Sequence, residues 1–198
     1  VIQSPNAPIV SDDGVVIKRK LLKLVGGTFF VHDKSGAVAM VFHQKGFKLK
    51  EDIRGYSDEA KTKELISIQA RQVLDFSAAY DVFDSTTGQK IGMWRRRGLK
   101  SILRDEWDLC DAHDTPIALL REDSMVMAVI RRFVSNLIPQ NYDLVVAERR
   151  VVDYRQKFNP FTYNLTVDFS DDPMATIDRR LAIAGGVLLA AIEGKQSG

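Results

Sequence analysis

The 198-residue chain has little of what usually announces a function. It holds one cysteine, Cys110, so an internal disulfide framework and any multi-cysteine zinc or iron–sulfur site are excluded. Such sparing cysteine use fits a reducing compartment, and a cytoplasmic location is expected. The three histidines, His32, His43 and His113, have no metal-ligand spacing, and no metal or other cofactor is expected. Neither sign of charge dominates: 28 basic against 26 acidic residues leave +2, whereas a nucleic-acid-binding domain is usually strongly basic. No nucleic-acid partner is therefore expected. Thirteen glycines and six prolines exclude collagen-like order, and 45% apolar residues exclude intrinsic disorder. The longest apolar run, residues 181–192 (LAIAGGVLLAAI), falls well short of the roughly 20 residues a membrane helix needs. No basic segment leading into an apolar run marks a signal peptide. Gly26-Gly27 lacks the lysine and the helix of a phosphate loop, and no nucleophile–base pair is evident. A catalytic role is not expected.

What is present is a long succession of short strands. Apolar and β-branched runs bounded by Gly, Asp and Ser appear at residues 15–25, 28–33, 37–43, 65–69, 72–76, 79–83, 89–95, 106–110, 116–121, 142–147, 150–157 and 161–169. Residues 52–63 are polar and carry no apolar stripe, so a loop or short surface helix is expected there. One plan recurs: an aromatic, an aliphatic two residues on, and an aspartate two further, in Phe29/Val31/Asp33, Tyr80/Val82/Asp84 and Trp107/Leu109/Asp111. The first two make a strand face. The aspartate opens a turn, because its carboxylate can accept a hydrogen bond from the backbone two residues later.

Two helices interrupt the strands. Residues 123–138 place Met127, Ile130, Phe133 or Val134, Leu137 and Ile138 at helical spacing, with Arg131, Arg132 and Ser135 opposite, as an amphipathic surface helix stopped by Pro139. Residues 173–193 have Asp172 as N-cap, Pro173 at the first helical position and Gly194 as the stop. From Leu181 this second helix is apolar all round, as a helix buried on every side must be.

These elements predict a mainly β, α+β fold: a closed antiparallel barrel of about twelve strands around a central hydrophobic C-terminal helix. A meander of that many strands closes to remove its edges. A barrel so wide cannot be filled by its own side chains. Twelve helical residues span about 18 Å, close to the length of a six-residue strand. The reading gives a flexible tail at 1–13, one domain at 14–194 and a short tail at 195–198.

Three stretches carry a family resemblance. Residues 80–92 (YDVFDSTTGQKIG), 99–111 (LKSILRDEWDLCD) and 177–193 (IDRRLAIAGGVLLAAIE) resemble the LURP-one-related and phospholipid scramblase-like families of the Tubby C-terminal-like superfamily. The likeness covers most of residues 15–194. It implies a twelve-stranded barrel around a central helix, in agreement with the arithmetic above. It also implies lipid association, since Tubby domains bind phosphoinositides and scramblases act at membranes, while many LURP-one-related members have no assigned activity. The scramblase calcium segment precedes the terminal helix. Here that stretch, residues 166–174 (TVDFSDDPM), does not match its spacing, and calcium binding does not carry over.

One basic cluster stands out. Residues 94–104 (WRRRGLKSILR) hold five cations and no acid. Guanidinium forks suit phosphate, and an adjacent tryptophan suits a membrane interface. Arg95, Arg96, Arg97, Lys100 and Arg104 are the expected anion-binding residues, with Trp94 as interfacial anchor. Strand alternation splits Arg96 from Arg95 and Arg97, so Lys18 and Lys20 from a second basic patch complete the candidate set. The expected function is a non-catalytic barrel that binds anionic phospholipid headgroups at a membrane surface. The alternative is a structural or protein-interaction domain without a lipid ligand. Cys110 and His113 straddle a turn and are read as structural.

Overall fold

The computed structural model describes residues 13–20, 27–45, 52–72, 78–97, 106–123, 140–157, 159 and 161–196. Twelve strands form one closed barrel in which each pairs antiparallel with its neighbours in sequence. They are β1 (Gly14–Lys20), β2 (Gly27–His32), β3 (Val38–Gln44), β4 (Asp52–Tyr56), β5 (Glu64–Gln72), β6 (Ala79–Asp84), β7 (Gln89–Arg96), β8 (Glu106–Cys110), β9 (Pro116–Glu122), β10 (Asn141–Val146), β11 (Arg149–Lys157) and β12 (Thr162–Asp168). Closure runs through β1 and β12, where Gly14 lies opposite Asp168 and Lys20 opposite Thr162. No strand is left with an unpaired edge, which removes the template for edge-to-edge association.

The period-two pattern decides what is buried. In β2 and β12 alternate residues are buried, and those residues are Phe29, Val31, Tyr163, Leu165 and Val167 besides Gly27. The repeated aspartates hold their turns, Asp84 and Asp111 through the amide two residues on as the pattern predicts and Asp33 through the amide four residues on. Asp33 accepts from the Ala37 amide at 2.9 Å, Asp84 from the Thr86 amide at 2.8 Å and Asp111 from the His113 amide at 2.8 Å.

Two strand expectations need correction. Residues 52–56 are not a loop or helix but strand β4. Its buried positions are Ile53 and Gly55, and a Cβ on Gly55 would stand 2.6 Å from Cε1 of Phe42. The Phe42 ring of β3 fills the place where the glycine has no side chain, so the apolar alternation is absent from the sequence. The break expected between the strands read at 65–69 and 72–76 is absent, because β5 runs without interruption to Gln72, and residues 73–76 lie outside the described residues. A register shift between Ala70 and Gln72 breaks its period, and Arg71 reaches out to Asp81 and Asp114. The helix expected at 123–138 lies outside the described residues, apart from Asp123.

The C-terminal helix is Arg179–Gln196, and it starts six residues later than the sequence indicates. Asp172 caps a turn rather than the helix: its carboxylate accepts from the Thr176 amide at 2.9 Å and the Ile177 amide at 3.1 Å. Ala175 sits at a φ of 49°, in the left-handed region, which breaks any helix through 173–178. Asp178 is the working cap, taking the Arg180 amide at 2.9 Å. Two cations at a helix N-terminus are unfavourable to the macrodipole. They are compensated locally, Arg180 by Asp84 at 2.7 Å and Asp178 at 2.6 Å, and Arg179 by Asp172 at 3.0 Å.

Every residue of 181–191 is buried. Three strands donate to the carbonyls of this helix: Trp94 Nε1 of β7 to Leu181 at 3.0 Å, Tyr154 Oη of β11 to Ala182 at 2.9 Å and Arg19 Nη1 of β1 to Ala190 at 3.0 Å. The glycine pair allows the close approach. A Cβ on Gly185 would lie 2.5 Å from Cζ2 of Trp94, and one on Gly186 would lie 2.6 Å from Cδ1 of Ile17.

Candidate anion-binding surface

Strand β7 carries the start of the basic run and sorts it by alternation. Trp94 is 1% exposed, with its indole N–H on the Leu181 carbonyl. It is a core residue, and this corrects the expectation of an interfacial anchor: an indole wedged against Gly185 does not reach a membrane surface. Arg96, two residues on, shares that face and stacks its guanidinium 5.9 Å from the centroid of the Trp107 ring. Arg95 and Arg97 point the other way, and both meet Asp108. Arg95 Nη2 is 3.2 Å from Asp108 Oδ2, Arg97 Nε is 2.7 Å from Oδ1, and Arg97 Nη1 is 3.6 Å from Glu106 Oε2. The run is free of acid in sequence, but strand β8 brings the acids beside it in space. Lys100 and Arg104 lie outside the described residues.

Strand β1 sorts its cations in the same way. Arg19 is 8% exposed, donates to Ala190, and lies 5.2 Å from the Phe29 ring centroid. Burial lowers its pKa from the usual arginine value. Lys18 faces outward and is exposed; its ladder neighbours are Asn164 of β12 and Phe30 of β2. Lys20 stands opposite Thr162 on the ladder. Sequence reasoning missed Lys157. It is exposed, ends β11 and pairs with Asn164 from the other side, so Asn164 has a lysine on each flank. Among the described residues neither Lys18 nor Lys157 has an ion-pair or hydrogen-bond partner, and no acid is opposite either on a ladder. A strand spacing of about 4.8 Å puts their backbones about 10 Å apart. Only the barrel's closure through β12 makes these residues neighbours, which the linear sequence does not display.

Many of the other charged groups of the described residues neutralise one another, whereas Lys45, Lys61 and Lys63 are exposed and form no ion pair with a described residue. Arg71 and Lys90 share Asp81 and Asp114, and the Arg71 and Lys90 contacts hold the Asp114 carboxyl far below its ordinary value. Arg150 and Arg155 hold Asp143 and Asp153, while Arg150 also meets Asp171 at 2.7 Å. Burial, then the nearby Asp123 charge, pushes the Asp143 carboxyl above its ordinary value. An open cleft of about 560 Å³ beside this network is lined by Asp143, Arg149, Arg150, Ser170, Asp171 and Pro173. Cys110 is fully buried with Ala79 and Met93, and burial raises its thiol pKa, while His113 is exposed in the following turn. His32 and His43 sit toward opposite ends of the β2–β3 hairpin, across from Val38 and Thr28 respectively. Among the described residues no three His, Cys, Asp or Glu side chains are grouped to hold a metal ion.

Comparison with family models, with curated proteins and with solved structures finds no match. Among the described residues no helix is long and apolar enough to cross a membrane.

Proposed function

We propose that the helix Arg179–Gln196 fills the barrel and that the protein is a non-catalytic domain whose outer surface binds anionic phospholipid headgroups. All-round burial of residues 181–191 supports a central helix, as do the hydrogen bonds it accepts from β1, β7 and β11. A barrel filled in this way leaves no lumen for a ligand, and recognition then falls to the outside. The resemblance to the LURP-one-related and scramblase-like families points the same way. It supports a location peripheral to a membrane, and the sparing cysteine use supports the cytoplasm.

The single observation that carries the lipid reading is the pair Lys18 and Lys157, exposed astride Asn164 and without a partner among the described residues. Each cation close to an anionic leaflet contributes about 1 kcal/mol, and a paired cation contributes far less because its field is already cancelled. Co-sedimentation with phosphatidylcholine vesicles, with and without phosphatidylserine, at two salt concentrations tests it. Binding that requires phosphatidylserine and fades with salt is expected. An absence of sedimentation at low salt would leave the protein-interaction reading in its place.

A further inference from the structure

We propose that this surface docks on an intact anionic bilayer rather than on a free anion, and that Phe161 is the side chain that enters the interface; the inference rests on the lipid reading above. Four large apolar side chains of the described residues are exposed: Val38 at 43%, Ile117 at 38%, Phe161 at 66% and Met174 at 84%. Three of them follow the acidic turns at one end of the barrel. Val38 begins β3 after Asp33, Ile117 begins β9 after Asp111 and Asp114, and Met174 follows Asp171 and Asp172. The cations beside these three are held by acids: Lys34 by Asp13, Arg71 and Lys90 by Asp114, and Arg150 by Asp171. Phe161 is at the opposite end, immediately before β12, where Lys20 pairs with Thr162 and both Lys18 and Lys157 pair with Asn164. Among the described residues it is the one exposed large apolar group beside Lys18 and Lys157, which form no ion pair with a described residue.

The turn that displays Phe161 is held in place. Asn159 Oδ1 accepts the Phe161 amide at 2.9 Å and the Thr162 amide at 3.1 Å. A ring presented in a fixed position loses little freedom when it inserts. Stable peripheral attachment takes two signals, one apolar and one basic, because either alone holds weakly. The lysines supply the attraction to headgroups, and the ring supplies the apolar contact that a soluble anion cannot offer. The Asn159 carboxamide acts only as a positioning group.

Phe161→Trp turns the anchor into a reporter. The native tryptophans, Trp94 and Trp107, are 1% and 2% exposed, so their emission is insensitive to a surface event. The expected result is a blue shift of the new emission on vesicles containing phosphatidylserine, quenched by acyl chains brominated near the headgroup, and no shift with inorganic phosphate. Phe161→Ser should lower partition onto those vesicles about tenfold and leave a weak, salt-sensitive residue, with melting unchanged. Sedimentation of Phe161→Trp without shift or quenching would mean contact with headgroups alone; the inference fails and the lipid reading stands. A shift with inorganic phosphate would assign the site to a free anion and overturn the inference. If neither the wild type nor the variants sediment, the lipid reading falls and the inference falls with it.

Discussion

Two strands of the barrel carry three successive cations, and the fold treats them differently. In β1 they are Lys18, Arg19 and Lys20; in β7 they are Arg95 and Arg96, with Arg97 just beyond the strand. Alternation turns the middle residue of each set to the buried face, Arg19 onto the Ala190 carbonyl and Arg96 over Trp107. The outward residues separate the two strands. Arg95 and Arg97 meet Asp108, whereas Lys18 meets Asn164 and Phe30. The richer run in sequence is thus the poorer surface in space. A run of cations presents charge only when the neighbouring strand lacks acids, and that neighbour is set by topology.

The largest expected effect tests the helix on which the buried face of both strands rests. Leu188→Asp places an unpaired carboxylate among fully buried groups and should abolish the cooperative thermal transition, a loss above about 4 kcal/mol. Gly186→Leu forces side-chain atoms against Ile17 and Val167 and should cost about 1–3 kcal/mol in urea unfolding. Next comes the contrast within β1. Arg19→Ala removes a charged hydrogen bond to the helix and should cost about 2 kcal/mol, while Lys18→Ala one position away stays within about 0.5 kcal/mol.

A third set of cations, the pair Arg179 and Arg180, extends the comparison to acid titration. Burial opposes ionisation of Asp84 and Asp172, yet hydrogen bonds outweigh it: those from Thr86 and Arg180 to Asp84, and those from Ile177 and Thr176 to Asp172. Both carboxyls lie below their ordinary value. Their folded pKa values are depressed, so their contribution is present at neutral pH and is lost as pH falls below about 4. Urea midpoints measured across that range should decline, and Asp84→Asn should flatten part of the decline. A smaller effect is expected for Asp108→Asn. It releases the Arg95 and Arg97 guanidinium groups from their shared acid, so binding to phosphatidylserine vesicles should rise several-fold, by about 1 kcal/mol.

The strand-rich architecture was legible because most strands bury alternate residues and because Asp33, Asp84 and Asp111 punctuate them. Strand β4 was not, since Gly55 leaves one of its two buried positions to the Phe42 ring from another strand. The helix start was misread because Asp172-Pro173 has the local chemistry of an N-terminus, while the actual start is fixed by Asp178 together with the distant Asp84. For the candidate surface, residue type was readable and availability was not. Trp94 is committed to Gly185 and the Leu181 carbonyl, the latter 87 residues away in sequence. Lys157 gains its meaning only from the register across β12.

The most direct test of the account removes two positive charges from each strand system and compares the losses. Lys18→Gln/Lys157→Gln and Arg95→Gln/Arg97→Gln lower the net charge equally, so nonspecific attraction changes by the same amount in both. Partition onto phosphatidylserine vesicles at low salt should fall about tenfold or more for the lysine pair and less than about twofold for the arginine pair. Equal losses in the two variants, or a larger loss in the arginine pair, would contradict the account.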